Sequence, residues 1–200
     1  IRNCDWSSDV CSSDLVFSAM STTVCSGVTF EVSPKDGFIG NIVPGDTKYS
    51  WTMPTYSATF TGGDSGSNQA YISGKLFNMT NVMRTATYTV TPTATTGSCQ
   101  GRTFTLTVYV NPTPVFSAMS TTVCSGVTFE VSPKDGFIGN IVPGDTKYSW
   151  TMPTYSATFT GGDSGSNQAY ISGKLFNMTD RKSTRLNSSH SSVSRMPSSA

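Results

Sequence analysis

The string GGDSG at Gly62–Gly66 has the residue types that surround the nucleophile of trypsin-like hydrolases. A serine hydroxyl becomes a nucleophile only when a neighbouring base takes its proton and a third group orients that base. The single histidine of the 200-residue chain, His190, stands near the C-terminus, and nothing in the sequence places a lysine base beside Ser65. GGDSG therefore reads as a glycine-rich hairpin loop, and no catalytic residue is assigned. Asp36, Asp46 and Asp64 fall in loops and could gather around calcium, which takes ~6–8 oxygens. They lack a D-x-D spacing and read as turn formers, so no metal or cofactor site is assigned. Cys4 and Cys11 lie in a stretch without a partner pair or histidine, which leaves a zinc reading without support.

The two ends explain that stretch. Residues 5–15 read DWSSDVCSSDL and residues 180–189 read DRKSTRLNSS. Back-translated, the first segment gives a nucleotide string whose reverse complement, in a shifted frame, encodes the second. Complementarity between two flanks at the DNA level has no origin in protein chemistry, and the string resembles a sequencing adapter. Segments 1–15 and 180–200 are accordingly set aside as adapter-derived and expected to be disordered, as a tag would be.

Between them the chain carries eight basic and eight acidic residues. No basic patch survives, which argues against a nucleic-acid partner. No apolar stretch approaches the ~20 residues a membrane-spanning helix needs, so membrane insertion is not expected. The 65 residues at 16–80 recur without change at 115–179, offset by 99 positions. A period of that length suits tandem domains rather than solenoid units. Residues 16–114 form one complete unit and 115–179 a second, truncated one.

Within a unit the apolar period is two. Phe30 and Val32, Tyr49, Trp51 and Met53, Ala86, Tyr88 and Val90, and Phe104, Leu106, Val108 and Val110 alternate with polar residues, often threonine. SPKDG, VPGD, TGGDSGS and TTGSCQG supply turns between the runs. Strands are predicted at about 16–25, 28–33, 47–53, 57–61, 70–78, 85–92 and 103–110, in an all-β, antiparallel, two-sheet sandwich. Phe30, Trp51, Tyr88 and Leu106 are expected in its core, with Trp150 as the second copy's equivalent of Trp51. Asn111–Pro114 reads as a stiff linker.

The CSG before the second strand, the YSW, the run TATYTVTPT and the close TFTLTVYVNPTP together resemble the PKD-like, immunoglobulin-fold repeats of bacterial secreted and cell-surface proteins. The resemblance covers 16–179. It implies a non-catalytic, extracellular or cell-surface module, acting as a spacer or adhesive bead, with neighbouring repeats and surface glycans or proteins as partners. A carbohydrate-binding accessory of a secreted hydrolase is the alternative, for which Tyr56, Tyr71 and Tyr109 are the candidate outward platform. In an exported domain Cys25 and Cys99 invite a disulfide, although strand alternation puts them at opposite ends of the sandwich, which leaves free thiols as the other reading. Asn78-Met79-Thr80 fits a glycan acceptor. The apolar loop DGFIGNIVPGD is expected to fold over the open end of the sandwich rather than form a binding tip. Without its last two strands, copy two is expected to leave Tyr148, Trp150 and Met152 uncovered.

Overall fold

A computed structural model describes residues 15–57 and 59–180. Apart from Leu15 and Asp180, the two segments read from the sequence as adapter-derived lie outside the described residues, as does Ala58 of the fourth predicted strand. The described residues form two compact units: 15–120 with 133–146, and 121–132 with 147–180. Among the described residues there is no α-helix, and no helix long and apolar enough to cross a membrane.

The first unit holds β1 (Met20–Cys25), β2 (Thr29–Val32), β3 (Thr47–Trp51), β4 (Phe60–Gly62), β5 (Gly66–Gln69), β6 (Ile72–Asn78), β7 (Arg84–Ala94), β8 (Cys99–Gln100) and β9 (Phe104–Asn111). One sheet runs β1-β9-β7-β3-β5, with β8 also on β7; the other runs β2-β6-β4. The period-two residues meet between them. Phe30, Trp51 and Tyr88 are 3%, 6% and 0% exposed, and Leu106 is fully buried. The rings of Phe30 and Tyr88 meet edge-on across the interface with centroids 5.6 Å apart, an arrangement that adds ring electrostatics to apolar burial. Threonines on the outer face of β7 and β9 leave the other side of that sheet polar.

Three details depart from the expected strands. The first strand lies parallel to β9, with Met20 opposite Leu106 and Cys25 opposite Asn111. The run at 70–78 divides: Ala70 and Tyr71 are exposed, and the chain changes sheets between β5, which pairs with β3, and β6, which pairs with β2 and β4. The third strand ends at Trp51, so Met53, just before Pro54, is 53% exposed instead of continuing the inward series.

Pro92 sits inside the central strand β7, where a missing N–H ordinarily breaks a ladder. Its carbonyl accepts from the Gly101 amide at 2.9 Å, so its nitrogen faces the same side. That side holds the Gly101–Thr103 gap between β8 and β9, and toward β3 the Pro92–Tyr49 pair asks nothing of the proline nitrogen. Leu15, assigned to the adapter, is nonetheless 5% exposed and packs in a small cluster with Ala94, Cys99 and Phe17. The separation at residue 15 is thus not clean: an apolar side chain of any origin fills the space beside Gly101.

The second unit holds β10 (Thr128–Val131), β11 (Tyr148–Trp150), β12 (Phe159–Gly161), β13 (Gly165–Gln168) and β14 (Ile171–Asn177). Its registers copy the first: Phe129 faces Gly173 as Phe30 faces Gly74, and Trp150 faces Gly165 as Trp51 faces Gly66. Residues 119–124, identical to β1, form no strand: among the described residues β1 pairs with β9, and the second copy shows no counterpart of β9. Trp150 is half-buried rather than a core residue, and so are Phe129, Phe159, Ile171 and Leu175, whose counterparts are all at or below 6% exposed or fully buried. Tyr148 stays buried at 7%, contrary to expectation, and Met152 is exposed at 54%, as Met53 is in the closed copy, so its exposure owes nothing to the missing strands. Half-exposing several side chains, each worth ~1.5–3 kcal/mol when fully buried, removes a large part of a domain's margin of ~5–15 kcal/mol. The amides of Ser172–Leu175 are expected to exchange with solvent at least tenfold faster than those of Ser73–Leu76; equal protection in a hydrogen-exchange experiment contradicts the assignment of β7 and β9 as the closing strands.

Candidate functional site

The GGDSG loop joins β4 to β5 and clasps the indole. Trp51 Nε1 donates to the Asp64 carbonyl at 2.8 Å. A Cβ on Gly66 would lie 2.2 Å from Trp51 Cζ2, and one on Gly63 would lie 2.7 Å from Pro54 Cγ. Gly63 also has φ of 77°, a backbone conformation that favours glycine. Ser65 is exposed and the loop's geometry is accounted for by tryptophan packing. The second copy repeats it, with Trp150 Nε1 donating to the Asp163 carbonyl at 2.8 Å. Beside the indole, Asp64, Gly66, Gln69, Ser73 and Lys75 line an open cleft of about 610 Å³.

Two of the three loop aspartates, Asp36 and Asp46, fasten neighbouring segments. Asp36 Oδ1 accepts from the Val43 amide at 2.8 Å. Asp46 accepts from the Thr95 hydroxyl at 2.9 Å and from the Thr96 amide, which ties the β2–β3 loop to the hairpin after β7. Those hydrogen bonds, Thr96 foremost, pull the Asp46 carboxyl down to about 2. Burial pushes the phenols of Tyr49 and Tyr88 up. All three shifts run away from neutrality, opposite to the tuning that general acid–base groups need.

Tyr88 is the orphan of the core. Its hydroxyl occupies the space left by Gly63 and Gly74, whose absent Cβ atoms would each lie 2.9 Å away, and it has no hydrogen-bond partner among the described residues. Asn78, read as a glycan acceptor, is 1% exposed and works as a staple instead. Its Nδ2 donates to the carbonyls of Val82 at 2.8 Å and Val110 at 2.9 Å, while its Oδ1 accepts from the Thr80 amide at 3.0 Å. No glycosyl group fits a side-chain nitrogen so engaged.

Cys25 and Cys99 are not bonded to each other; Cys99 is itself disulfide-bonded, while Cys25 is free. Cys25 is an exposed free thiol opposite Asn111, near the Arg84 end of β7; Cys99 is buried opposite Ala94, at its other end. The span between those ends is ~33 Å at ~3.3 Å per residue, against a disulfide's Cα separation of ~4.4–6.8 Å. Cys124 is likewise an exposed free thiol.

The tyrosines do not make a platform. Tyr71 is 46% exposed. Tyr56 is half-buried, stacked on Phe60 with ring centroids 5.5 Å apart and its hydroxyl donating to the Gly62 carbonyl at 2.9 Å. Tyr109 is half-buried on β9, opposite Thr85. They belong to three separate elements.

The loop expected to cover the sandwich does the reverse. Phe38, Ile39 and Ile42 are 60%, 54% and 47% exposed. Gly37 and Gly40 have φ of 72° and 78°, and Ile39 between them has φ of 47°, unusual for a β-branched residue. Asn41 turns inward, 2% exposed, with its Oδ1 accepting from the Ser18 amide at 2.9 Å; the Ser18 hydroxyl donates to the Ile39 carbonyl at 3.0 Å. The polar side of the loop is thus anchored and its apolar side faces solvent. In the second copy Phe137 and Ile138 are 63% and 56% exposed, with the same φ of 47° at Ile138.

With both sheets and the closing strands placed, residues 22–114 match the family model described as a PKD-like domain. The complete repeat is a PKD-like domain. The match begins inside β1 and runs past Asn111, so it spans every strand of the first unit's two sheets. No curated protein and no solved structure matches the chain. PKD-like domains are typically non-catalytic immunoglobulin-like modules and are commonly extracellular.

Gly66→Ala is expected to destabilise the PKD-like domain by about 1–3 kcal/mol, the usual range for overpacking, in amide exchange at β6. Gly45→Ala, where an added Cβ meets nothing within 4 Å, serves as the neutral control. Equal stability of the two variants contradicts the indole clasp.

Proposed function

We propose that this PKD-like domain is a non-catalytic structural and adhesive bead of a secreted or cell-surface bacterial protein, its contact surface being the tip of the β2–β3 loop. The observation that carries this reading is the exposure of Phe38 and Ile39 on a loop anchored from below by Asp36, Asn41 and Ser18, repeated at Phe137 and Ile138. A left-handed isoleucine costs ~1–3 kcal/mol, so the fold sustains a strained conformation in order to present an apolar pair to solvent. One such pair binds weakly. Repeated at intervals of 99 residues, as the two copies are here, many weak contacts add through effective concentration. Neighbouring repeats along one chain are the structural partners, and surface proteins or glycans the external ones.

The carbohydrate-accessory reading has less support, since Tyr56, Tyr71 and Tyr109 are scattered and only Tyr71 is well exposed. The double variant Phe38→Ser/Ile39→Asn removes the apolar tip and places at position 39 a residue that tolerates the left-handed conformation, so the fold is retained. In single-molecule detachment from protein-coated surfaces, the wild-type chain is expected to adhere at least tenfold more often than this variant. Saturable binding on a glycan array that survives the double substitution overturns the reading in favour of a carbohydrate module.

A further inference from the structure

The chain enters the complete repeat at one end of the sandwich and leaves it at the other. At the entry the Ile42 amide donates to the Val16 carbonyl at 2.9 Å, beside the start of β3 and the finish of β7. At the exit Asn111 closes β9 next to the start of β7, where Arg84 faces Val110. Between these points β1 and β9 run side by side in the same direction, in register at six positions from Met20–Leu106 to Cys25–Asn111. Every other strand pair among the described residues is antiparallel. The ladder continues past both strands. The Ser26 amide donates to the Asn111 carbonyl at 2.8 Å, and the Thr113 hydroxyl of the linker donates to the Ser26 carbonyl at 3.1 Å. Successive amides of a strand point to opposite edges. With Ser26 turned toward β9, the amides of Thr22 and Val24 face β9 too, and those of Ser21, Thr23 and Cys25 face the outer edge.

We propose that β1 and β9 form a shear lock, by which the repeat resists tension applied through its own chain ends. Such tension draws the Val16 end of β1 and the Asn111 end of β9 apart along the strand axis. Because the strands are parallel, those are opposite ends of the pair, and the load falls on all of its hydrogen bonds together. In an antiparallel terminal pair the two loaded ends would lie side by side, and the bonds would open one after another. Met20 and Val24 add resistance, since both are half-buried against the core and must slide past it in the same step. Forced unfolding follows the barrier to opening rather than the equilibrium stability, so a marginally stable domain gains strength along this one direction. That tension reaches the domain rests on its reading as a structural bead. The lock itself follows from the strand order and holds whether or not the tip loop adheres to anything.

The test pulls single molecules of the full chain through azide-bearing side chains placed at two exposed positions, either Val16 with Pro114 or Cys25 with Asn111. The first pair loads β1 against β9 lengthwise. The second grips both strands at the same end and peels them apart. Lengthwise loading is expected to need about threefold more force at first rupture than peeling. In the lengthwise geometry Thr22→Pro removes an amide that faces β9 and is expected to lower the rupture force by about half, whereas Thr23→Pro, on the outer edge, is expected to leave it roughly unchanged. Equal forces in the two geometries, or equal forces for the two proline variants, overturn the proposal and leave the adhesive reading of the tip untouched. The comparison of geometries needs neither proline variant to fold.

Discussion

The structure rests on the closing of two sheets over a single apolar layer. Neither β2-β6-β4 nor the larger sheet is stable alone, because each has one face of Phe, Ile, Leu, Val and Tyr that only the other can remove from water. The contrast between the two copies isolates this constraint. The strands that both copies form keep the same registers, yet Trp51, Phe30 and Leu76 are buried where β7 and β9 are present, and their equivalents are half-exposed where they are not. Local pairing is written into each segment. Burial comes only from the strands that arrive last.

Polar side chains decide where those strands are pinned. Asn78 bridges β6 to the Val110 carbonyl at the end of β9, and Asp46 holds the hairpin after β7. Ser18 and Asn41 anchor the tip loop. These groups sit at the ends of the sandwich, where ladders stop and backbone donors and acceptors would otherwise go unmatched. The residues that invited chemical readings thus work mainly as fasteners, as does the GGDSG loop around the indole. What is left free of such a role is the pair Phe38 and Ile39, which the same fastenings hold toward solvent.

Much of the fold was legible in the sequence because period-two alternation writes the buried face directly: Phe30, Tyr49, Trp51, Tyr88 and Leu106 all lie where that period puts them. β5 was not legible. Gly66–Gln69 is polar and turn-like, and it becomes a strand only through pairing with β3 and the flat contact of Gly66 with the indole. The extension of β7 through Pro92 was hidden for a similar reason, since the gap that tolerates its missing N–H lies in a distant segment. The tip loop was misread because its hydrophobicity says nothing of orientation; three positive φ values and the inward turn of Asn41 set that. The N-x-T string at Asn78 was equally readable as a strand-ending turn that engages the asparagine side chain locally.

The central claim is that β7 and β9 bury the Trp51 indole and that their absence leaves Trp150 wet. Acrylamide quenching of two single-tryptophan chains, one keeping Trp51 and the other Trp150, with the remaining tryptophans changed to phenylalanine, measures this directly. Trp51 is expected to emit at shorter wavelength and to be quenched several-fold less than Trp150. Equal quenching of the two indoles contradicts the account.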